Sequence, residues 1–266
     1  MSQPRVMGVL NRTPDSFSDG GAFTDLDAAL RHAYELVEQG ADLLDIGGES
    51  TRPGAEAIGE QQELDRVIPL IERLTDEIPI PISVDTSKPA VMRAAVAAGA
   101  DMINDVCGLR APGALQVAHD CGVPVCVMHI QGKPRSMQQH PQYWDVVAEV
   151  RQFLEQRVQA CVAAGIPTES VVIDPGFGFG KNLEHNLTLL QHLPELAALG
   201  QPLLVGLSRK SMLGALLGGA PVGERLHASV AAAAVAVLNG AHIVRSHDVG
   251  PTVEALKVIT AARISP

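Results

Sequence analysis

Aromatic side chains are scarce in this chain of 266 residues: five Phe, two Tyr and one Trp. A core built around large rings is therefore excluded, and Ala, Val, Leu and Ile must fill it, which suits buried parallel strands and close-packed helices. Positive charge is also short, since 20 Lys and Arg against 30 Asp and Glu leave a net −10 and a pI near 5.3. That excludes the basic footprint of a general nucleic-acid binder, and any anionic ligand must be met by a local cluster of cations. The four cysteines, Cys107, Cys121, Cys126 and Cys161, form no C-x-x-C pair and lie in apolar runs. This reads as free buried thiols in a reducing compartment. Long hydrophobic runs are missing as well. Residues 6–10 are too few for a signal-peptide core, and 228–238 fall short of the ~18 residues of a membrane span. The expectation is a soluble, cytoplasmic protein with no nucleic-acid or membrane partner.

What is present is alternation. Short aliphatic runs at 6–10, 42–47, 82–86, 101–106, 123–129, 171–174, 202–207 and 243–247 read as strands, separated by segments of helical period. In 26–37 the apolar positions are Leu26, Ala29, Leu30, Ala33, Leu36 and Val37. The segment 225–240 is apolar on nearly every side, which predicts burial on two fronts, such as a subunit contact. Gly40-Ala41-Asp42, Gly99-Ala100-Asp101 and Gly240-Ala241-His242 each close a helix pattern and open a strand, where glycine suits a left-handed position past the helix end. Eight such units fill residues 1–266 with no linker, the arithmetic of a single-domain α/β (β/α)8 TIM barrel. A doubly wound sheet would place a glycine-rich loop after the first strand, where Asn11-Arg12-Thr13-Pro14 stands instead.

Polar residues end these strands: Asn11, Asp45, Asp85, Asn104, His129, Asp174, Ser208, and Arg245 with His247. In a barrel all such ends converge on one mouth, where polar groups read as site chemistry. Taken singly, each is as well explained as a helix cap or loop bridge; a ring of Asn, Lys, Arg and His together is not. Asp85, Asn104, Asp174 and Lys210 supply acceptors, an amide and a cation suited to a flat heterocycle with an amidine-like edge and a carbonyl. Asn11, Arg245, His247 and Ser208 supply donors at the rim, and the loops after strands seven and eight are where barrels usually hold phosphate, which points to a phosphate ester or pyrophosphate. Two long loops, 13–21 and 49–54, have the Gly, Ser and Pro content of segments that close over a substrate. His32, His119, His185, His192 and His227 read as surface or packing residues, and Tyr143 and Trp144 as anchors of the following helix.

The motifs Met7-Gly8-Val9-Leu10-Asn11, Thr13-Pro14-Asp15-Ser16-Phe17-Ser18-Asp19-Gly20-Gly21 and Asp45-Ile46-Gly47-Gly48-Glu49-Ser50-Thr51-Arg52-Pro53-Gly54 form an ordered set. Ser83-Val84-Asp85-Thr86, Asn104-Asp105-Val106, Asp174-Pro175-Gly176-Phe177-Gly178-Phe179-Gly180-Lys181, Ser208-Arg209-Lys210-Ser211 and Arg245-Ser246-His247-Asp248-Val249 continue it along the whole chain. In this the sequence resembles the dihydropteroate synthase family. The resemblance implies a (β/α)8 barrel, an alkyl-transferring enzyme of folate biosynthesis. Such an enzyme joins 7,8-dihydropterin-6-ylmethyl diphosphate to p-aminobenzoate and releases pyrophosphate. It implies a homodimer and a sulfonamide target. It places the pterin on Asp85, Asn104, Asp174 and Lys210, and pyrophosphate with Mg²⁺ at Asn11, Arg245 and His247, with Asn11 as the metal ligand. It places p-aminobenzoate against Phe17, Thr51, Arg52, Pro53, Phe179 and Ser208. Asp85, Lys210, Arg245, His247, Asp19 and Arg52 are the residues it implies for catalysis.

Arg12 departs from the family signature, which has Val or Ile there; strand alternation leaves open whether it meets the site or faces away. Three other readings compete: a methyltetrahydrofolate methyltransferase-like barrel, a Schiff-base aldolase using Lys210, and a non-catalytic pterin-binding paralogue in which Arg12 spoils the chemistry.

Overall fold

The structure, a computed structural model, describes residues 3–12, 22–51, 54–132 and 137–264. Eight parallel strands form one sheet in the order β6-β5-β4-β3-β2-β1-β8-β7. They are β1 (Arg5–Asn11), β2 (Leu43–Gly47), β3 (Ile82–Asp85), β4 (Met102–Asp105), β5 (Val125–Met128), β6 (Val171–Asp174), β7 (Leu204–Val205) and β8 (Ile243–Ser246). A parallel bridge between Ile173 and Leu203 joins β6 to β7, so the sheet curls round to meet itself as a barrel. The surrounding helices are α1 (Ala22–Glu38), α2 (Glu60–Glu77), α3 (Pro89–Ala97), α4 (Ala114–Cys121) and α5 (Val146–Ala163). They continue as α6 (Leu183–Gln191), α7 (Leu193–Ala197), α8 (Ser211–Leu216), α9 (Leu226–Leu238) and α10 (Val249–Ile264).

Every expected strand is present, but several are shorter than the apolar runs. Prolines set two of the starts. Pro124 and Pro202 have no N–H to give a ladder, and each instead accepts through its carbonyl, from Ile103 and Ile173 respectively. Gly40, Gly99 and Gly240 lie at φ of 94°, 111° and 103°, the left-handed turn that lets each helix end and the next strand begin.

The pleat explains how one sheet serves two environments. Val6, Leu44, Ile103, Val125 and Val244 belong to the large core shared with the helices. On the other face Met7, Leu43, Met102, Cys126, Val172, Leu204 and Ile243 form a separate apolar cluster inside the barrel. Two residues further along the same faces the chain places Asp45, Asn104, Met128, Asp174, Gly206 and Arg245. A floor of aliphatic side chains thus supports a polar layer one pleat above it.

A helix and a side chain bear on the sequence reading, the first as one half of the expected two-sided burial and the second as a departure from it. Helix α9 buries Ser229, Ala232, Ala233, Ala236 and Val237 but leaves Val235 and Leu238 exposed, so one chain covers only one of its two apolar fronts. The Trp144 side chain is fully exposed, and the residue meets α5 through its backbone amide, which donates to Glu149 Oε1 at 2.8 Å. Helix α5 is fixed instead by Asp145, whose carboxylate accepts from the Val147 and Ala148 amides, while Tyr143 packs against the core.

Candidate active site

At the carboxyl ends of the strands lies a narrow, open cavity. Asp85, Asn104, Asp174 and Lys210 line it together with Ser208, Arg245 and His247. Thr51, Phe177 and Phe179 complete the wall that concerns the chemistry. Asn11 sits beside it at the end of β1: a Cβ on Gly47 would meet Asn11 Oδ1 at 3.2 Å and Asp85 Cβ at 3.6 Å. Phe17, Asp19, Arg52 and Pro53 lie outside the described residues.

The wall made by β2, β3, β4 and β8 is a charge lattice. Arg245 donates from Nε to Asp45 Oδ2 at 2.6 Å and from Nη2 to Asp85 Oδ2 at 3.1 Å. Asn104 Nδ2 reaches the same Asp45 oxygen at 3.1 Å. The guanidinium thus turns inward across the barrel. Asp45 is fully buried, and its Oδ1 has no hydrogen-bond partner among the described residues. Burial pushes the Asp85 carboxyl up to about 7, with the Asp45 charge adding to the rise and Arg245 opposing it.

The wall from β6 and β7 is organised differently. Asp174 Oδ1 accepts from the Gly176 amide at 2.7 Å, and no donor among the described residues takes its other oxygen. Burial raises this carboxyl to about 6 and lowers the Lys210 ammonium to about 8, against the attraction of Asp174. Lys210 lies 4.2 Å from the centre of the Phe179 ring, a cation–π contact. His247 takes Ser208 Oγ at Nδ1, 3.1 Å away, and burial with the nearby Arg245 charge pulls its pKa down to about 3. Near neutral pH it offers an uncharged imidazole, a hydrogen-bonding group and not a cation. Ser246 faces outward, where its Oγ accepts from the Asp248 amide at the start of α10.

Arg12 faces away from the cavity. Its side chain is buried, with Nη1 donating to Arg66 O at 2.7 Å and lying 3.4 Å from Asp65 O on α2. Pro69 interrupts that helix and has no N–H for the Asp65 carbonyl, so the guanidinium stands where a helical donor is missing.

Two functional-looking residues carried no assigned role in the sequence reading. Asp45 is the hub that orients Arg245 and Asn104. Lys181, 2% exposed, bonds His129 and two loop carbonyls. Asp45 could have been found as an inward polar residue one pleat above Leu43; nothing in the spacing marks Lys181.

A (β/α)8 barrel with buried carboxylates, an amide and a lysine beneath cationic and imidazole donors is the framework of an enzyme for a flat polar ring linked to an anion. The profile of the family described as "Pterin binding enzyme" matches residues 7–247. The dihydropteroate synthase of Escherichia coli (strain K12) is 51% identical over 261 residues, covering 98% of this chain and 92% of that protein. The Xanthomonas albilineans dihydropteroate synthase with 4-aminobenzoic acid superposes with a TM-score of 0.95 at 55% identity, covering 99% of this chain and 94% of that one. The same organism's enzyme in complex with 7,8-dihydropteroate gives a TM-score of 0.91 at 52% identity, covering 99% and 95%. The chain belongs to the pterin-binding enzyme family and, within it, to the dihydropteroate synthases.

Proposed function

We propose that this cavity couples 7,8-dihydropterin-6-ylmethyl diphosphate to p-aminobenzoate, forming 7,8-dihydropteroate and pyrophosphate by a dissociative substitution. The observation that carries the assignment is one hollow lined by Asp85, Asn104, Asp174 and Lys210 with Arg245 and His247. The carboxylates accept from the amino and ring N–H edge of the pterin, while Lys210 donates to a ring oxygen or nitrogen. Arg245, His247 and Asn11 meet the diphosphate and hold the charge that grows as it leaves. Asp85 and Asp174 favour the positive charge that spreads over the dihydropterin ring. Phe179, Thr51 and Ser208, with Phe17, Arg52 and Pro53, hold p-aminobenzoate; Asp19 belongs to the first loop that closes over it. The arylamine is neutral at pH 7, so positioning replaces a dedicated base.

Mg²⁺ fits this arrangement as an ion carried on the diphosphate. Among the described residues no group of three His, Cys, Asp or Glu side chains is placed to hold a metal. The amide oxygen of Asn11, beside the cavity, is the hard donor expected of a site that shares Mg²⁺ with substrate phosphates and water. When bound, Mg²⁺ supplies charge neutralisation for the departing diphosphate.

The proposed location is cytoplasmic. The four cysteines are free, and among the described residues no helix is long and apolar enough to cross a membrane. The proposed assembly is a homodimer through the outward sides of α9 and α10, where Val235, Leu238 and Val258 are exposed. Light scattering is expected to give twice the chain mass and Leu238→Glu to give the monomer; a monomeric parent would overturn this.

The function is tested by pyrophosphate release with each component omitted in turn. Release is expected only when dihydropterin diphosphate, p-aminobenzoate and Mg²⁺ are all present. Binding of the pterin without release would leave the non-catalytic reading standing. Arg52→Ala should raise KM for p-aminobenzoate by about tenfold, with a much smaller change for the pterin substrate.

A further inference from the structure

We propose that Lys181 is a positioning residue for p-aminobenzoate, acting through the loop 176–180 and held from behind by His129. This rests on the reading above that Phe179 borders the p-aminobenzoate side of the cavity.

An ammonium has three N–H donors. Those of Lys181 are matched by three buried acceptors: His129 Nδ1 at 2.8 Å, Gly176 O at 3.0 Å and Phe179 O at 3.1 Å. No carboxylate touches Nζ among the described residues, although burying an unpaired ammonium is costly. The charge is held by carbonyl dipoles and one ring nitrogen, and burial lowers the amine to about 7. The histidine is held neutral by burial and by the neighbouring Lys181 charge, and facing an ammonium its ring takes the Nε2–H tautomer that leaves Nδ1 as the acceptor. Its ring is seated edge-on against Phe153, with centroids 4.9 Å apart.

The bonds to Gly176 and Phe179 fix both ends of the segment that lines the cavity. Gly176, at φ 69°, lies so near the backbone after β5 that a Cβ there would be 1.9 Å from His129 O. Lys181 bridges these same two segments. Gln138 bonds Gly178 O, and Tyr143 donates to Gly180 O at 2.8 Å, but neither grips the carbonyl of Gly176 or Phe179. Lys181 therefore sets how far the Phe179 backbone stands from the barrel, and with it the ring above Lys210. A displacement there would misplace the arylamine while leaving Asp85, Asn104 and Asp174 on their own strands.

Steady-state kinetics for both substrates, with melting temperatures, test this. His129→Leu, which leaves the ammonium one acceptor short, is expected to raise KM for p-aminobenzoate about 5–10-fold while KM for dihydropterin diphosphate stays within about twofold. His129→Asn, whose amide oxygen replaces Nδ1 as acceptor, should restore KM for p-aminobenzoate to within about twofold of the parent. Lys181→Met should give the larger rise, about 30-fold. If Lys181→Met does not fold, the His129 pair decides. A lower melting temperature in His129→Leu with both KM values unchanged or raised equally would overturn the proposal, as would His129→Asn behaving like His129→Leu. Inactivity of the parent protein would instead overturn the assigned reaction.

Discussion

On the β2–β4 side of the cavity the polar groups hold one another: Arg245 spans to Asp45 and Asp85, and Asn104 joins at the shared oxygen. On the β6 side the backbone is held from behind, by Lys181, Tyr143 and Asn186, and one oxygen of Asp174 has no donor among the described residues. The first wall meets its charges within the protein, so a ligand there must compete with Arg245 or recruit it. The second is set in place before anything binds. A diphosphate that draws Arg245 outward would release Asp85 for the pterin, linking recognition of the anion to recognition of the ring.

The largest way to break this contrast is Arg245→Ala. It leaves Asp45 and Asp85 buried without their cation and is expected to lower stability by about 3 kcal/mol and abolish pyrophosphate release. Adding Asp45→Asn should recover much of the stability in denaturant unfolding but none of the activity. Full recovery of activity would mean that Arg245 serves only the lattice.

The pH dependence sharpens the same comparison. Asp174 and Asp85 titrate near 6 and 7 in the folded protein, and Lys210 near 8. The kcat/KM for dihydropterin diphosphate should rise about tenfold per pH unit between pH 6 and 7, more steeply below pH 6 where both carboxylates must lose a proton, and fall again above pH 8. Stability of the ligand-free protein runs the other way. Asp174 has a folded pKa raised from 3.8, so its ionised form is disfavoured by folding, and stability should decline as pH rises from about 4 through 6. Calorimetric melts across that window check the sign. The smallest effect lies away from both walls. Arg12→Val removes the donor facing Asp65 and Arg66 and should cost about 1 kcal/mol, less in a Pro69→Ala background where the helical N–H returns, with KM values unchanged.

The barrel was legible because its signals are local: aliphatic runs, the glycines at 40, 99 and 240, and a polar residue at each strand end. The identities of Asp85, Asn104, Asp174 and Lys210 as neighbours followed from the closure of eight strands. What sequence could not carry was direction. Arg245 stands at the expected strand end, but its inward turn depends on Asp45, 200 positions away. Arg12 was undecidable until α2 supplied a prolyl gap for it to face. Lys181 closes the Asp174–Lys181 motif, yet its partner His129 is 52 residues distant and on another strand end. The expectation that the Trp144 ring anchors a helix failed because Asp145 caps that helix, and Trp144 meets it through its backbone amide, which donates to Glu149.

The central claim is that the pterin is held at Asp174, whose second oxygen is ready for a donor. Calorimetric titration of dihydropterin diphosphate with Mg²⁺ into the parent protein and Asp174→Asn tests it most directly. The account predicts binding weakened about 100-fold in a variant that melts at or above the parent's temperature at pH 7. Equal affinities for the two proteins would contradict it.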